Sequence, residues 1–176
     1  STLKALKELE CTESLSLKSV KANGAEALER LDCWQTGIST IDVSELKHLT
    51  SLSCGGSEQL KELVVNGADA LRALTCSEAR LTRLDVSGLT KLWYLNCAGN
   101  SLLGTLNLQG AGSLYELWVG GTSLEVLDIS GNSELRKLVA SPNEDLKEIR
   151  VFWEDEASRP ITSPYEIPEG VEIVYL

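Results

Sequence analysis

Five cysteines, Cys11, Cys33, Cys54, Cys76 and Cys97, recur at intervals of 22, 21, 22 and 21 residues. A period of about 20–25 residues confines a chain to a solenoid, in which each coil buries its apolar face only against the next coil. The same regularity assigns the cysteines. They occupy one inward position of successive coils and read as core residues, not as a catalytic or metal-binding set.

Each cysteine ends the pattern L-x-x-L-x-C: Leu6-Leu9-Cys11, Leu28-Leu31-Cys33, Leu49-Leu52-Cys54, Leu71-Leu74-Cys76 and Leu92-Leu95-Cys97. Leu114-Leu117-Val119 and Leu135-Leu138-Ala140 continue it, making seven coils. A second apolar segment follows each first one: Leu17-Val20-Ala22, Ile38-Ile41-Val43, Leu60-Leu63-Val65, Leu81-Leu84-Val86, Leu103-Leu106-Leu108, Leu124-Leu127-Ile129 and Leu146-Ile149-Val151. The last two apolar residues of each segment alternate with polar ones, which predicts a short strand with one buried face. Seven coils with two strands each, stacked at about 4.8 Å, predict a flattened rod roughly 34 Å long. A larger period is superimposed. Asn23-Gly24-Ala25, Asn66-Gly67-Ala68 and Gln109-Gly110-Ala111 mark odd coils; Asp42-Val43-Ser44, Asp85-Val86-Ser87 and Asp128-Ile129-Ser130 mark even ones. The unit is thus a pair of coils, 43 residues long.

These residues resemble the leucine-rich repeat family, in particular its 21-residue nested bacterial class. Leu92-x-x-Leu95-x-Cys97-x-x-Asn100 fits the consensus L-x-x-L-x-L-x-x-N best. The resemblance implies an α/β-class leucine-rich repeat solenoid, mostly parallel β with short turns and little or no helix. It covers residues 3 to about 152, and it implies an envelope or secreted, extracellular or cell-surface, location. The family's asparagine ladder is largely replaced, by Ser14, Thr36, Ser57, Ala79 and Thr122, with Asn100 and Asn143 kept. Ala79 has no side-chain group to bond the turn backbone, so coil 4 is expected to turn differently or to use a water.

The 176 residues suit one domain. The chain opens directly on Leu3-Leu6-Leu9 without an N-terminal cap, which points to a mature or trimmed piece of a longer protein. A net charge of −10 without a basic stripe argues against nucleic acid and against anionic membranes. No run of apolar residues suits membrane insertion. The repeat breaks after residue 152. Trp153, Glu154, Asp155 and Glu156 lead to Pro160, Pro164 and Pro168, and the tail from Gly170 to Tyr175 alternates as a strand does. Residues 1–152 are therefore expected to form the solenoid. Residues 153–176 are expected to cap it, with Phe152 and Trp153 over the last coil; the alternative is a linker or docking tail.

Candidate chemistry is sparse. The cysteine side chains point the same way in a straight column, which suits free buried thiols and offers zinc no tetrahedral ligand set. No cofactor is implied. Asp42, Asp85 and Asp128 stand two coils apart, roughly 9.6 Å, too far to share one calcium. That is near the upper end of the about 6.5–9.5 Å range of inverting glycosidases, but nothing in the sequence raises the pKa of one carboxyl. His48, the single histidine, falls in a loop with no Ser–His–Asp arrangement.

The aromatic residues carry more information. Trp93 and Tyr94 fall in coil 5, Tyr115, Glu116 and Trp118 in coil 6, with Arg72 before them and Arg136 and Lys137 after. Trp34 stands alone in coil 2. Four large aromatics on two adjacent strands near arginines have the composition of interface anchors and also suit stacking on sugars. Trp118 and Tyr94 are expected to be the anchors, with Arg72 and Arg136 orienting acidic or polar groups; the blander alternative is that Trp93 and Tyr115 lie over the turn and cover the coil edge, leaving only Tyr94 and Trp118 exposed. The function expected is non-catalytic recognition of a protein or peptide by the first-strand face of coils 4–7. The alternatives are glycan binding by the same aromatics, a solenoid glycan lyase or hydrolase using the aspartates, and a structural spacer.

Overall fold

Consecutive leucines of the L-x-x-L-x-C pattern lie side by side in a computed structural model that describes residues 2–22, 24–160 and 165–176. Asn23 of the first Asn–Gly–Ala set and Pro164 lie outside these residues. In chain order the strands are β1 (Glu8–Glu10), β2 (Arg30–Asp32), β3 (Thr40–Asp42), β4 (Ser51–Ser53), β5 (Glu62–Val64), β6 (Ala73–Thr75), β7 (Arg83–Asp85), β8 (Tyr94–Asn96), β9 (Thr105–Asn107), β10 (Glu116–Trp118), β11 (Val126–Asp128), β12 (Lys137–Val139), β13 (Glu148–Val151), β14 (Tyr165–Glu166) and β15 (Glu172–Tyr175). All of their pairings are parallel, as a solenoid requires. The molecule is a parallel-β solenoid of about seven turns. Among the described residues helix is limited to two short 3₁₀ turns, Thr2–Ala5 and Glu156–Ser158. Among the described residues no helix is long and apolar enough to cross a membrane.

One face is a single eight-stranded sheet in the order β1-β2-β4-β6-β8-β10-β12-β14. Its register aligns Leu31, Leu52, Leu74, Leu95, Leu117 and Leu138, all buried. The opposite face is broken into β3-β5, β7-β9 and β11-β13-β15. The breaks recur every two coils, so the 43-residue unit read from the sequence is also the unit of pairing on this face. Asparagines span them: Asn66 Nδ2 donates to the Ser87 carbonyl (3.1 Å), and Asn132 Nδ2 donates to the Ala111 carbonyl (2.9 Å). The strand expected at Leu17-Val20-Ala22 does not form. Among the described residues no ladder pairs that segment with β3, so nothing holds it extended.

Between the faces lies one continuous core that includes Cys33, Cys54, Cys76 and Cys97, while Cys11 is half-buried. The turn after the cysteine column uses a left-handed residue in each of six coils: Glu13, Gln35, Gly56, Glu78, Gly99 and Gly121. Three of these are not glycine, which any L-residue adopts only at some strain. Each N–H there donates to a carbonyl of the next coil, Gln35 to Gly55 and Glu78 to Ala98 for example. Coil 4 therefore turns as its neighbours do, contrary to the expectation for Ala79. Asn100 of coil 5 reaches back instead. Its Oδ1 accepts from Leu81 N–H (3.1 Å), and its Nδ2 donates to the carbonyls of Cys76 and Cys97 (2.9 Å each).

Beyond residue 152 the chain adds one strand to each face, β14 beside β12 and β15 beside β13. Trp153 is buried and packs edge-on against Phe152, with ring centres 5.2 Å apart.

Candidate functional site

The strand-entry residues of the continuous sheet form their own hydrogen-bonded row. The N–H of Arg72 donates to Thr50 O, Trp93 to Arg72 O, Tyr115 to Trp93 O and Arg136 to Tyr115 O, each at 2.9 Å. Arg72, Trp93, Tyr115 and Arg136 are thus consecutive rungs of one ladder, with the two aromatics between the two arginines. One residue further along each strand, Ala73, Tyr94, Glu116 and Lys137 align in the same way. Two residues further, Asn96 aligns with Trp118 and Val139. All eight residues expected at the site fall on this part of the sheet.

Their exposures differ from the expectation. Trp93 is 46% and Tyr115 50% exposed, whereas Tyr94 and Trp118 are half-buried. Tyr94 is flanked in register by Ala73 and Glu116, and Trp118 by Asn96 and Val139. Trp118 is also held from the side. Its Nε1–H donates to Glu116 Oε1 (2.5 Å), Lys137 Nζ donates to the same oxygen (2.6 Å), and the ammonium stands 4.4 Å from the Trp118 ring centre. The ion pair and the cation–π contact fix the indole against the sheet. Tyr94 meets Trp93 at 5.8 Å between ring centres, tilted by 58°. Arg136 Nη1 donates to the carbonyls of Ser133 and Leu135, and Nη2 approaches Glu134 to 3.9 Å. Arg72 is exposed, and among the described residues its guanidinium has no hydrogen-bond or ionic partner.

Trp34 is not isolated: its ring lies over Gly55 and Gly56 of the next coil. Placing Trp34 and Gly55 in one column, each directly after a cysteine, is the sequence signal that reveals this pair.

The aspartates close turns. Asp42, Asp85 and Asp128 each accept the N–H of the serine two residues on, Ser44 (3.0 Å), Ser87 (2.9 Å) and Ser130 (3.0 Å). Asn107 does the same for Gln109, and Asp32 for Trp34. Hydrogen bonds from Ser44 hold the Asp42 carboxyl below the usual aspartate range. Partial burial pushes Asp85 upward, but hydrogen bonds involving Ser87, Asn66 and Asn107 outweigh it and leave that carboxyl lowered as well. A glycosidase acid needs the opposite shift. Burial raises the cysteine thiols, Cys33 and Cys97 to about 12 and Cys54 and Cys76 well above the ordinary value. Among the described residues no group of three His, Cys, Asp or Glu side chains could hold a metal ion.

No protein-family model matches the sequence, and no curated protein matches it. Among solved structures, the chain is similar to the functional domain of InlJ from Listeria monocytogenes, which includes a cysteine ladder. The identity is 26% and the TM-score 0.73, over 84% of this chain and 35% of that one. The chain thus spans about a third of that protein's length. An internalin, InlF, from Listeria monocytogenes is matched over 84% of this chain and 74% of its own at 16% identity, with a TM-score of 0.27, too poor a superposition to carry any argument. Nested L-x-x-L-x-C coils, a continuous parallel sheet on one face, a buried cysteine column and the likeness to the InlJ domain agree: this chain is a leucine-rich-repeat protein.

Proposed function

We propose that the protein is a non-catalytic recognition scaffold at the cell surface or outside the cell, and that it docks a protein through the strand-entry row of coils 4–7. One observation carries this reading. Trp93 and Tyr115, two of the most exposed large apolar side chains, are adjacent rungs on a rigid sheet with an arginine on either side. Single exposed apolar residues are ordinary, whereas a cluster of aromatics and arginine is the make-up of binding hot spots. A continuous sheet also holds such groups with little entropy left to lose on binding. The aspartate face supports no rival enzymatic reading, since its carboxylates are committed to backbone N–H groups and those with shifted pKa values are shifted downward.

The test is tryptophan fluorescence of the wild type and of Trp93→Ala, titrated with a panel of purified extracellular protein domains and of oligosaccharides. A saturable shift with a protein domain that is lost in Trp93→Ala supports the proposal. The same behaviour with an oligosaccharide alone replaces it with glycan recognition by the same rings. No shift with any of them leaves a structural spacer.

A further inference from the structure

We propose that the Arg72–Trp93–Tyr115–Arg136 row takes an extended acidic segment of its protein partner, one with two carboxylates four residues apart and an apolar side chain midway. This rests on the protein-recognition reading above and specifies its partner. The geometry sets the spacing. Four rungs on consecutive coils place the two arginine backbones about 14 Å apart at 4.8 Å per strand. An extended chain rises about 3.4 Å per residue, so positions i and i+4 also stand about 14 Å apart. Alternate side chains of an extended chain point the same way, so i, i+2 and i+4 face the row together. The i+2 side chain then falls between Trp93 and Tyr115, while i and i+4 meet the guanidinium groups.

The charges along the row favour acid. Arg72 has no ionic partner among the described residues, and Arg136 is pinned by backbone carbonyls on Nη1 with Nη2 only 3.9 Å from the exposed Glu134. Carboxylate–guanidinium pairs are the strong, directional kind of hydrogen bond. The neighbouring Glu116 is already closed by Lys137 at 2.6 Å. In the N-terminal coils the same row reads Lys7, Glu29 and Thr50, with Lys7 and Glu29 paired at 2.7 Å, so within this row the arginines and rings fall in coils 4–7. The net charge of −10 does not forbid an acidic ligand. At physiological salt, charges beyond about 8 Å are largely screened; beside the row Glu116 is paired with Lys137, and Glu134 stands 3.9 Å from Arg136.

The test displays random decapeptides to the immobilised protein. Enriched sequences are synthesised and titrated by fluorescence anisotropy against wild type, Arg72→Ala and Trp93→Ala. The expected result is enrichment of acid-x-apolar-x-acid. Affinity should fall about tenfold or more in Arg72→Ala, and similarly when the two peptide carboxylates are replaced by amides. Enriched peptides that need Trp93 but carry no paired acids, or carry them at another spacing, overturn this inference and leave protein recognition standing. No Trp93-dependent peptide at all overturns both. Trp93-dependent binding of an oligogalacturonate in that case assigns the row to an acidic glycan.

Discussion

Trp34 lies so close over Gly55 that a methyl group on that glycine would fall 2.4 Å from the ring carbon Cζ3. The same methyl would stand 2.5 Å from the Ser77 carbonyl oxygen of the following coil. Gly55 is therefore small because two coils close on it at once. Gly55→Ala should destabilise the fold by about 1–3 kcal/mol, the usual range for overpacking a tight site. Removing the ring as well, in Trp34→Ala/Gly55→Ala, should not restore stability, because the carbonyl clash remains. Urea unfolding of the three proteins checks this, and full rescue by the double substitution would contradict it.

Asn100 serves the turns of two coils with three buried hydrogen bonds. Asn100→Ala leaves the Leu81 N–H and the Cys76 and Cys97 carbonyls without that partner. The expected loss is about 2–4 kcal/mol, from the lost bonds and the unsatisfied groups together. Hydrogen exchange should show the extra opening centred on the turns of coils 4 and 5. A loss below about 1 kcal/mol would mean that water replaces the side chain.

The fold was legible because its signal is redundant. Seven copies of one register fix the buried leucines, the cysteine column and the pairing of strands, and no single substitution obscures them. What was not legible depends on contacts between coils. Ala79 looked like a defect when its own coil was considered, but Asn100 compensates from the next one. Tyr94 and Trp118 looked exposed from strand alternation, yet neighbouring strands, Glu116 and Lys137 cover them, leaving Trp93 and Tyr115 as the more exposed pair. The segment from Leu17 to Ala22 has the apolar pattern of a strand but lacks a ladder partner.

The thiols should differ sharply in reactivity. Burial pushes Cys33 and Cys97 up to about 12 and Cys54 and Cys76 well above the ordinary value, while Cys11 is raised but only half-buried. An aromatic disulfide reagent at pH 8 should label Cys11 alone in the native protein and all five cysteines in denaturant. The folded values exceed the ordinary 9.0, so the folded chain holds these protons more tightly. This contribution to stability is intact below about pH 9 and is lost as pH rises toward 12. Rapid native labelling at Cys54 or Cys76 would contradict the buried column.

Asp85 should make the fold acid-sensitive. Its folded pKa lies below the ordinary 3.8, so its contribution to stability is complete above that value and is lost as pH falls through the folded value. Asp85→Asn keeps an oxygen to accept the Ser87 N–H but cannot titrate. Its melting temperature should therefore drop less than that of the wild type between pH 5 and pH 2.5. An equal drop in both would show that the carboxylate does not contribute.

The most direct measurement compares Trp93→Ala/Tyr115→Ala with Asp42→Asn/Asp85→Asn/Asp128→Asn for binding to the same panel of extracellular protein domains. Both variants change exposed side chains and should remain folded by circular dichroism. The account predicts saturable binding by wild type, a loss of about thirtyfold or more in the aromatic variant, and a change within about twofold in the aspartate variant. Binding that survives loss of both rings but fails without the aspartates would contradict it, as would the absence of any saturable binding by the wild type.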